Sequence, residues 1–461
     1  MLAHTHFIGI GGTGLSAIAR VLLERGETVS GSDRLESGLA AAVKLAGAQV
    51  YIGHDPNHVR GADLVVRSSA VPDDNVEVIA ARHAGIPILN RAEYMESLLV
   101  DKFVIAVSGS HGKTTTTAMI SWMLHALNQR PGFIVGGEVQ NLGVNAAAGE
   151  TDLFVIEADE YDYMFWGLHP TIAVVTNVEH DHPDNFPTER DFMAAFEGFV
   201  ERITPDGSLV ICLDDPGASH LLAYAGSLRK HWLAYSLDDL AADYTTRNLT
   251  PHPGAGSQFD VLRGSEQIAE IFLSVPGVHN VRNALAAIVT ADLLNLDLEA
   301  AGRALSKYIG SGRRFDVLGE AADVTVIDDY GHHPTEIKAT LQAARTRYPE
   351  GRIWAVWQPH TYSRTLLWLT GFGESFVDAD EVIVTGVYAA REEQPAGFSL
   401  EQVLVAIQSP HTRAIQDLNE VTAHLLENLT GGDVLIVFSA GDATIVSADV
   451  YHGLQEKEAA G

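Results

Sequence analysis

Cysteine is almost absent from this sequence. Cys212 stands alone, so no intrachain disulfide can form, which fits a reducing compartment such as the cytoplasm. Basic residues are scarce as well: 30 Lys and Arg face 60 Asp and Glu, and the formal net charge is -30. Such a surface repels free nucleic acid and anionic membranes, so neither is expected as a partner. An anionic substrate must therefore be held by local cations and backbone amides. No uninterrupted apolar run reaches the roughly eighteen residues of a membrane span. The opening stretch MLAHTHFIGIGG lacks a basic start followed by a long apolar run, so no signal peptide is expected. There is no internal repeat and no low-complexity tract. A chain of 461 residues exceeds one core and suggests about three domains, and a hydrophobic content of 46% is enough to fill them.

The most informative segment that is present is VIAVSGSHGKTTTT, Val104 to Thr117. A short apolar run, Phe103 to Val107, breaks into Ser108-Gly109-Ser110-His111-Gly112-Lys113-Thr114-Thr115, and a helix-compatible run follows. This is the layout of a nucleotide phosphate loop. Glycines let several N–H groups converge on one anion, and a helix N-terminus adds partial positive charge. Lys113 is placed to reach the β- and γ-phosphates, and the Thr114 hydroxyl to face Mg²⁺. The pattern GxxxxGK[ST] is not met in full, because Val107 stands where the first glycine belongs.

The chain divides into three α/β regions. Residues 1–100 alternate strand and helix signals: Phe7–Ile10, Thr28 to about Asp33, Leu64–Arg67 and Ile86–Leu89 as strands, Leu15–Glu24 as a helix. This is a βαβ pattern with a parallel sheet. Residues 101–310 offer strands Phe103–Val107, Leu153–Glu157, Ile172–Thr176 and Leu209–Leu213. Their helices are Thr115–Leu127, Glu189–Phe199 and Asn283–Leu294, and 246–274 is expected as a β-rich insertion. Residues 311–461 alternate again, with strands Val324–Ile327, Ile353–Trp357, Glu381–Thr385 and Val434–Phe438. Helices are expected over Pro334–Tyr348, Leu366–Phe376 and Leu400–Ile407. Hinges are expected near Leu99–Lys102 and Gly310–Gly312.

Gly9-x-Gly11-Gly12-x-Gly14 after a strand, with Asp33 after the next, meets the dinucleotide fingerprint. NAD, a nucleotide-sugar diphosphate and a ligand-free turn remain open, since any diphosphate suits a helix N-terminus. Ser68 and Ser69 end a later strand and are either hydroxyl ligands or turn residues. In the central region, strand ends deliver Glu157-Ala158-Asp159-Glu160 and Asn177-Val178-Glu179-His180-Asp181-His182. Parallel strands open on one edge, which places Glu157 and His182 near the phosphate loop. Glu157 suits Mg²⁺; His182 is a less usual ligand for a hard cation. Glu160, Glu179 and His180 are expected as solvated caps. Asn280 and Asn283 share a helical face and either read an adenine edge or, for Asn280, cap the helix. The third region carries Arg313-Arg314, Asp328-Asp329-Tyr330-Gly331-His332-His333 and His360-Thr361-Tyr362-Ser363-Arg364, where arginine suits a carboxylate. Adjacent histidines diverge and no third ligand is spaced for zinc, so none is expected.

GIGGTG (9–14), GSHGKTTT (109–116), EADEYD (157–162), TNVEHDH (176–182), HNVRN (279–283), GRRFD (312–316), DDYGHHPTE (328–336) and QPHTYSRT (358–365) occur together and in order. In this the chain resembles the Mur ligases over nearly its whole length. DDYGHHPTE favours the branch that adds L-alanine to UDP-N-acetylmuramate over the branch that recycles murein tripeptide, which usually has a DDFAHHP-like segment. The resemblance implies a Rossmann-like N-terminal domain, a P-loop ATPase-like central domain and a Rossmann-like C-terminal domain. It implies UDP on Gly11, Gly12, Gly14 and Asp33, and ATP and Mg²⁺ on Lys113 and Thr114. Glu157 and His182 match metal positions, and Asn280 and Asn283 match adenine positions. Arg314 and Asp329 match positions facing the nucleotide, and His332, His360 and Arg364 positions around the amino acid. Lys113, Glu157, His182, Arg314 and His332 are accordingly the candidate catalytic residues. It further implies a cytoplasmic enzyme, monomeric or weakly dimeric. Two departures stand out: Thr361 and Ser439, where many members carry Arg and Gly.

Overall fold

Three sheets succeed one another along the chain. The computed structural model describes residues 3–407, 409 and 411–460. The first sheet has five strands in the order Gln49–Ile52, Thr28–Asp33, His4–Ile8, Leu64–Arg67, Ile88–Asn90. All its pairings are parallel. The order reverses beside His4–Ile8, and doubly wound sheets hold ligands in the crevice at such a point. The strand expected over Phe7–Ile10 begins and ends earlier, because Gly9 adopts a φ of 92° and turns the chain. The helix that follows, Thr13–Glu24, starts two residues before the expected Leu15.

Beneath this sheet lies a buried carboxylate that no motif announced. Glu77 is fully buried and meets His58 Nδ1 at 2.7 Å, His54 Nδ1 at 3.2 Å and the Asp55 amide at 3.2 Å. Burial alone would raise its pKa, but His6, Ser32 and His58 outweigh it and hold the group at about 2. A carboxylate depressed in the fold stabilises it above the unfolded pKa near 4.5, and that stability disappears as pH falls toward 2. Glu77→Gln is therefore expected to lower stability at pH 7 by about 1–3 kcal/mol and to flatten the acid limb of a melting-temperature profile between pH 5 and 2. Unchanged melting at both ends of the profile would contradict this.

The central sheet has ten strands. Its parallel heart runs His231–Tyr235, Ser208–Cys212, Ile172–Val175, Phe103–Ser108, Leu153–Glu157, Gly132–Val139. Strand Phe103–Ser108 is buried on both faces: Val104 and Ala106 enter one core, Ile105 and Val107 the other. This is why it is uniformly apolar rather than alternating. The first core also takes in Phe7, Ile10 and Leu15, so the N-terminal and central sheets share it. The segment expected as an insertion continues this sheet: Tyr244–Pro251, Ser257–Arg263 and Glu266–Leu273 form an antiparallel meander joined to Tyr235 through Tyr244.

The third sheet has six strands, in the order Asp316–Ala321, Val324–Asp329, Val434–Phe438, Ile353–Trp357, Glu381–Val384, Thr412–Ala414. Only Asp316–Ala321 is antiparallel. The single helix expected over Leu366–Phe376 is two, Tyr362–Leu367 and Leu369–Ser375, hinged at Trp368. Among the described residues no helix is long and apolar enough to cross a membrane.

Candidate active site

The candidate residues stand at strand ends of the three sheets, and side-chain contacts join neighbouring sheets, Arg91 to Asp159 and Arg364 to Asp181. At the N-terminal crevice, Gly12 precedes the helix Thr13–Glu24 with no side-chain cap, so the positive helix end is available to an anion. Asp33 accepts the Gly11 amide at 2.9 Å and the Arg34 amide at 2.7 Å. Ser68 packs on the turn, 3.0 Å from where a Cβ on Gly9 would stand, while Ser69 is exposed. Arg91 also reaches the turn: a Cβ on Gly14 would stand 2.6 Å from its Nη1. Its Nη2 donates to Asp159 of the central region at 2.7 Å. An arginine beside a helix N-terminus suits a diphosphate.

The phosphate loop closes against the neighbouring strand ends. Gly109 has a φ of 137°, and a Cβ there would lie 2.1 Å from Thr176 Oγ1, so no other residue fits. Gly112 precedes the helix Lys113–Ala126, which starts two residues before the expected Thr115. Lys113 Nζ donates to Gly109 O at 2.6 Å, Ser110 O at 3.1 Å and Glu160 Oε1 at 2.9 Å. Burial disfavours its charge, but Glu160 and Asp159 keep its pKa above the ordinary lysine value. Thr114 Oγ1 donates to Glu157 Oε1 at 3.0 Å, and the Gly136 amide to Glu157 Oε2 at 2.6 Å. Burial pushes the Glu157 pKa up. A partly buried carboxylate and a buried hydroxyl beside a phosphate loop form a donor set that fits Mg²⁺. His182 stands at the edge of this group, its Nε2 3.6 Å from Glu160.

A cavity of about 300 Å³ opens beside the loop and is closed by the third domain. Thr115, Asn280 and Asn283 line one wall, Arg314 and Asp329 the other. The helix expected from Asn283 begins at Val278 with Gly277 as its cap, so Asn280 is not the cap residue. Instead Asn280 donates to Pro276 O at 2.7 Å and accepts from Asn283 Nδ2 at 3.1 Å. Asp329 accepts the amides of Phe315 (2.8 Å) and Gly331 (2.7 Å). Burial, opposed by Arg314, raises its pKa to about 6.

Beyond the Glu157 group lies a patch of imidazoles around one arginine. Arg364 was expected to leave its guanidinium free for a carboxylate. In the structure it is buried on Asp181, with Nη2 at 2.9 Å and Nε at 3.2 Å from Oδ1. Its other donors face His182 Nδ1 at 3.2 Å and His360 Nδ1 at 3.1 Å. The reason is charge balance: Asp181 is also buried, and only a close cation compensates it. Burial, then Arg364, lowers His332 to about 3 and His360 to about 4, so both rings are neutral at pH 7. Thr361 donates its hydroxyl to Glu392 at 2.8 Å.

Of the residues expected as solvated caps, Glu160 is not one, and Glu179 is half-exposed but paired. Glu160 is fully buried between Lys113 and His182. Glu179 accepts from Thr335 Oγ1 at 2.9 Å and lies 2.9 Å from His111 Nε2. His180 does stay structural, its Nε2 2.8 Å from Phe186 O. His111, Glu179 and His333 bring three possible ligand atoms within 4.8 Å of one another, a grouping that spacing did not suggest. Two carboxylates keep His111 protonated, however, and a proton there competes with any metal. Arg91, Glu160, Asp181 and Glu336 were missed as site residues. For Glu160, its place directly after a strand end was the one available signal.

Comparison with known proteins agrees with this geometry. The Mur ligase family catalytic domain matches residues 4–102, the Mur ligase middle domain 107–291, and the Mur ligase glutamate ligase domain 313–441. A UDP-N-acetylmuramate–L-alanine ligase of Roseiflexus sp. (strain RS-1) is 40% identical over 98% of this chain and 100% of its own length. One of Chloroflexus aggregans is 42% identical over 99% of this chain and 100% of its own. The crystal structure of a UDP-N-acetylmuramate-alanine ligase from Thermotoga maritima superposes with a TM-score of 0.84 at 30% identity, covering 98% of this chain and 99% of that one. A murein peptide ligase from Psychrobacter arcticus gives 0.73 at 26% identity, with 98% and 99% covered. With three successive domain models matched and full-length relatives at this identity, the chain belongs to the Mur ligase family.

Proposed function

We propose that this protein is an ATP-dependent ligase that joins L-alanine to the carboxylate of UDP-N-acetylmuramate in peptidoglycan precursor synthesis, in the cytoplasm. The observation that carries the reading is the convergence of a phosphate loop, a cation-seeking carboxylate and an arginine–imidazole patch on one cleft between sheets. Residues 1–100 hold the UDP-sugar through Gly11, Gly12, Gly14, Asp33, Ser68 and Ser69, with Arg91 at the diphosphate. Residues 101–310 hold ATP through Gly109, Ser110, His111, Gly112, Lys113, Thr114 and Thr115, with Asn280 and Asn283 at the base and Asp329 opposite. Residues 311–461 hold the amino acid near His332, His360 and Arg364. The enzyme works as a monomer or weak homodimer.

The chemistry follows from what the groups can do. A carboxylate and an amine do not condense usefully at neutral pH. Transfer of the γ-phosphoryl of ATP to the muramate carboxylate breaks the bond to ADP, which leaves, and gives an acyl phosphate; the uncharged amine of L-alanine attacks its carbonyl carbon, phosphate leaves, and the surplus amine proton passes to solvent or to the departing phosphate. No protein nucleophile is needed. Lys113 and Arg314 offset charge on the phosphoryl oxygens. Thr114, Glu157 and His182 would hold Mg²⁺, which neutralises phosphate charge when bound. His332 and His360, being neutral, add no charge against the incoming ammonium, and a desolvated pocket favours the uncharged amine that attacks.

The competing reading as a nicotinamide oxidoreductase draws on the same glycine turn and Asp33, and it gives no role to the phosphate loop, where Lys113 and Thr114 face Glu160 and Glu157. Calorimetric titration with UDP-N-acetylmuramate and, separately, with NADH is expected to show binding of the UDP-sugar alone. Tight NADH binding with none of the UDP-sugar would overturn the ligase reading.

A further inference from the structure

His111 belongs to the phosphate loop, yet both its ring nitrogens face carboxylates from elsewhere. Nε2 lies 2.9 Å from Glu179 Oε2, and Nδ1, which has no hydrogen-bond partner, stands at ion-pair distance, 3.4 Å, from Glu336 Oε1. Burial disfavours the imidazolium, but Glu179 and Glu336 raise its pKa to about 9, so both nitrogens carry protons at pH 7. Glu179 in turn accepts from the Thr335 hydroxyl at 2.9 Å, and Thr335 adjoins Glu336 in the chain. The contacts therefore close into a ring. Half of it comes from central-sheet loops and half from the first turn of the helix Pro334–Arg347.

Glu336 is held rigidly within this ring. Its Oε2 accepts the amides of His332 at 3.1 Å and His333 at 3.4 Å, and its Oε1 meets Arg314 Nη1 at 3.2 Å. Its side chain is only 11% exposed. On the loop side the Glu179 backbone is fixed, because Ser110 accepts its amide at 2.8 Å and donates to its carbonyl at 2.6 Å, while its side chain is half-exposed. One carboxylate thus ties the loop that precedes Lys113 to the arginine on the far wall of the cavity.

We propose that this ring is a latch that couples closure of the third domain to the shape of the phosphate loop, with Glu336 and His111 as positioning residues for the nucleotide. When the third domain swings away, His111 and Arg314 lose their shared partner and the loop loses its anchor. The inference rests on the ligase reading only in placing ATP at this loop.

Glu336→Gln tests it, because glutamine keeps the shape and can still accept the His332 and His333 amides. Binding of a non-hydrolysable ATP analogue, with no acceptor present, is measured for Glu336→Gln, His111→Gln and the double variant. Each single change is expected to weaken binding by ~10-fold or more, and the double change to fall well short of the product of the two, since the His111–Glu336 contact is lost in both singles and can be lost only once. The L-alanine KM is expected to stay unchanged, which a general loss of fold would not allow. Losses that multiply, or nucleotide affinity untouched by either single change, would overturn the latch. If Glu336→Gln fails to fold, Thr335→Val with His111→Gln serves as the pair, under the same two outcomes. If instead the ligase reading fails, alanine turnover is missing while the nucleotide coupling remains.

Discussion

Lys113→Ala abolishes ligation, with an expected loss of at least ~10³-fold in kcat, the scale of removing one preorganised electrostatic stabiliser. A phosphate loop that is exposed would lose Lys113 without harm to the fold. Here, however, the Lys113 side chain is 13% exposed and the Glu160 beside it is 0% exposed. Removing the cation leaves a buried carboxylate unpaired, so a stability loss of about 3–5 kcal/mol is expected alongside the catalytic one. Adding Glu160→Gln to Lys113→Ala should recover melting temperature without recovering turnover. Near-normal turnover in the single variant would remove the assignment of the loop, and full activity in the double would show that Lys113 acts only by balancing Glu160.

Arg364→Ala is expected to raise the KM for L-alanine by roughly 30-fold or more while sparing the KM values for ATP and the UDP-sugar, as for loss of a charge-assisted contact worth about 2–5 kcal/mol. Its pairing with Asp181 adds a second effect. Asp181 is buried, and against the effect of burial His182 and then Arg364 hold its pKa well below the ordinary value. Arg364→Ala strands that charge, so about 3–5 kcal/mol of stability should go with it. Asp181→Asn in the same chain should restore melting temperature but not alanine affinity. Arg364→Lys should recover only part, keeping the charge and losing the fork. If the alanine KM is unchanged and the ATP KM climbs, Arg364 faces the nucleotide instead.

The features visible in the sequence are the local ones. A buried strand that breaks into GSHGKTT, and strand ends that deliver EADE, TNVEHDH and DDYGHH, are continuous in the chain, and parallel sheets gather such ends on one edge. What the sequence hid is pairing over distance. Asp181 and Arg364 are 183 residues apart, Thr335 and Glu179 156, and Arg91 and Asp159 68. Nothing in one chain's periodicity marks two charged residues as partners, so Glu160 reads as a solvated cap although it is fully buried. The helix at Val278–Leu293 was placed too late because Asn280 is a residue type favoured at caps, whereas Gly277 holds that position. The meander from Tyr244 looked like an insertion because one parallel pairing, Tyr235 with Tyr244, joins it to the sheet.

The most direct test is release of ADP and phosphate by the unmodified enzyme, with each substrate omitted in turn. Release is expected only when UDP-N-acetylmuramate, L-alanine, ATP and Mg²⁺ are all present, in equal amounts with the UDP-N-acetylmuramoyl-L-alanine formed. Release that ignores L-alanine, or that occurs with murein tripeptide in its place and not with L-alanine, would contradict the proposed reaction.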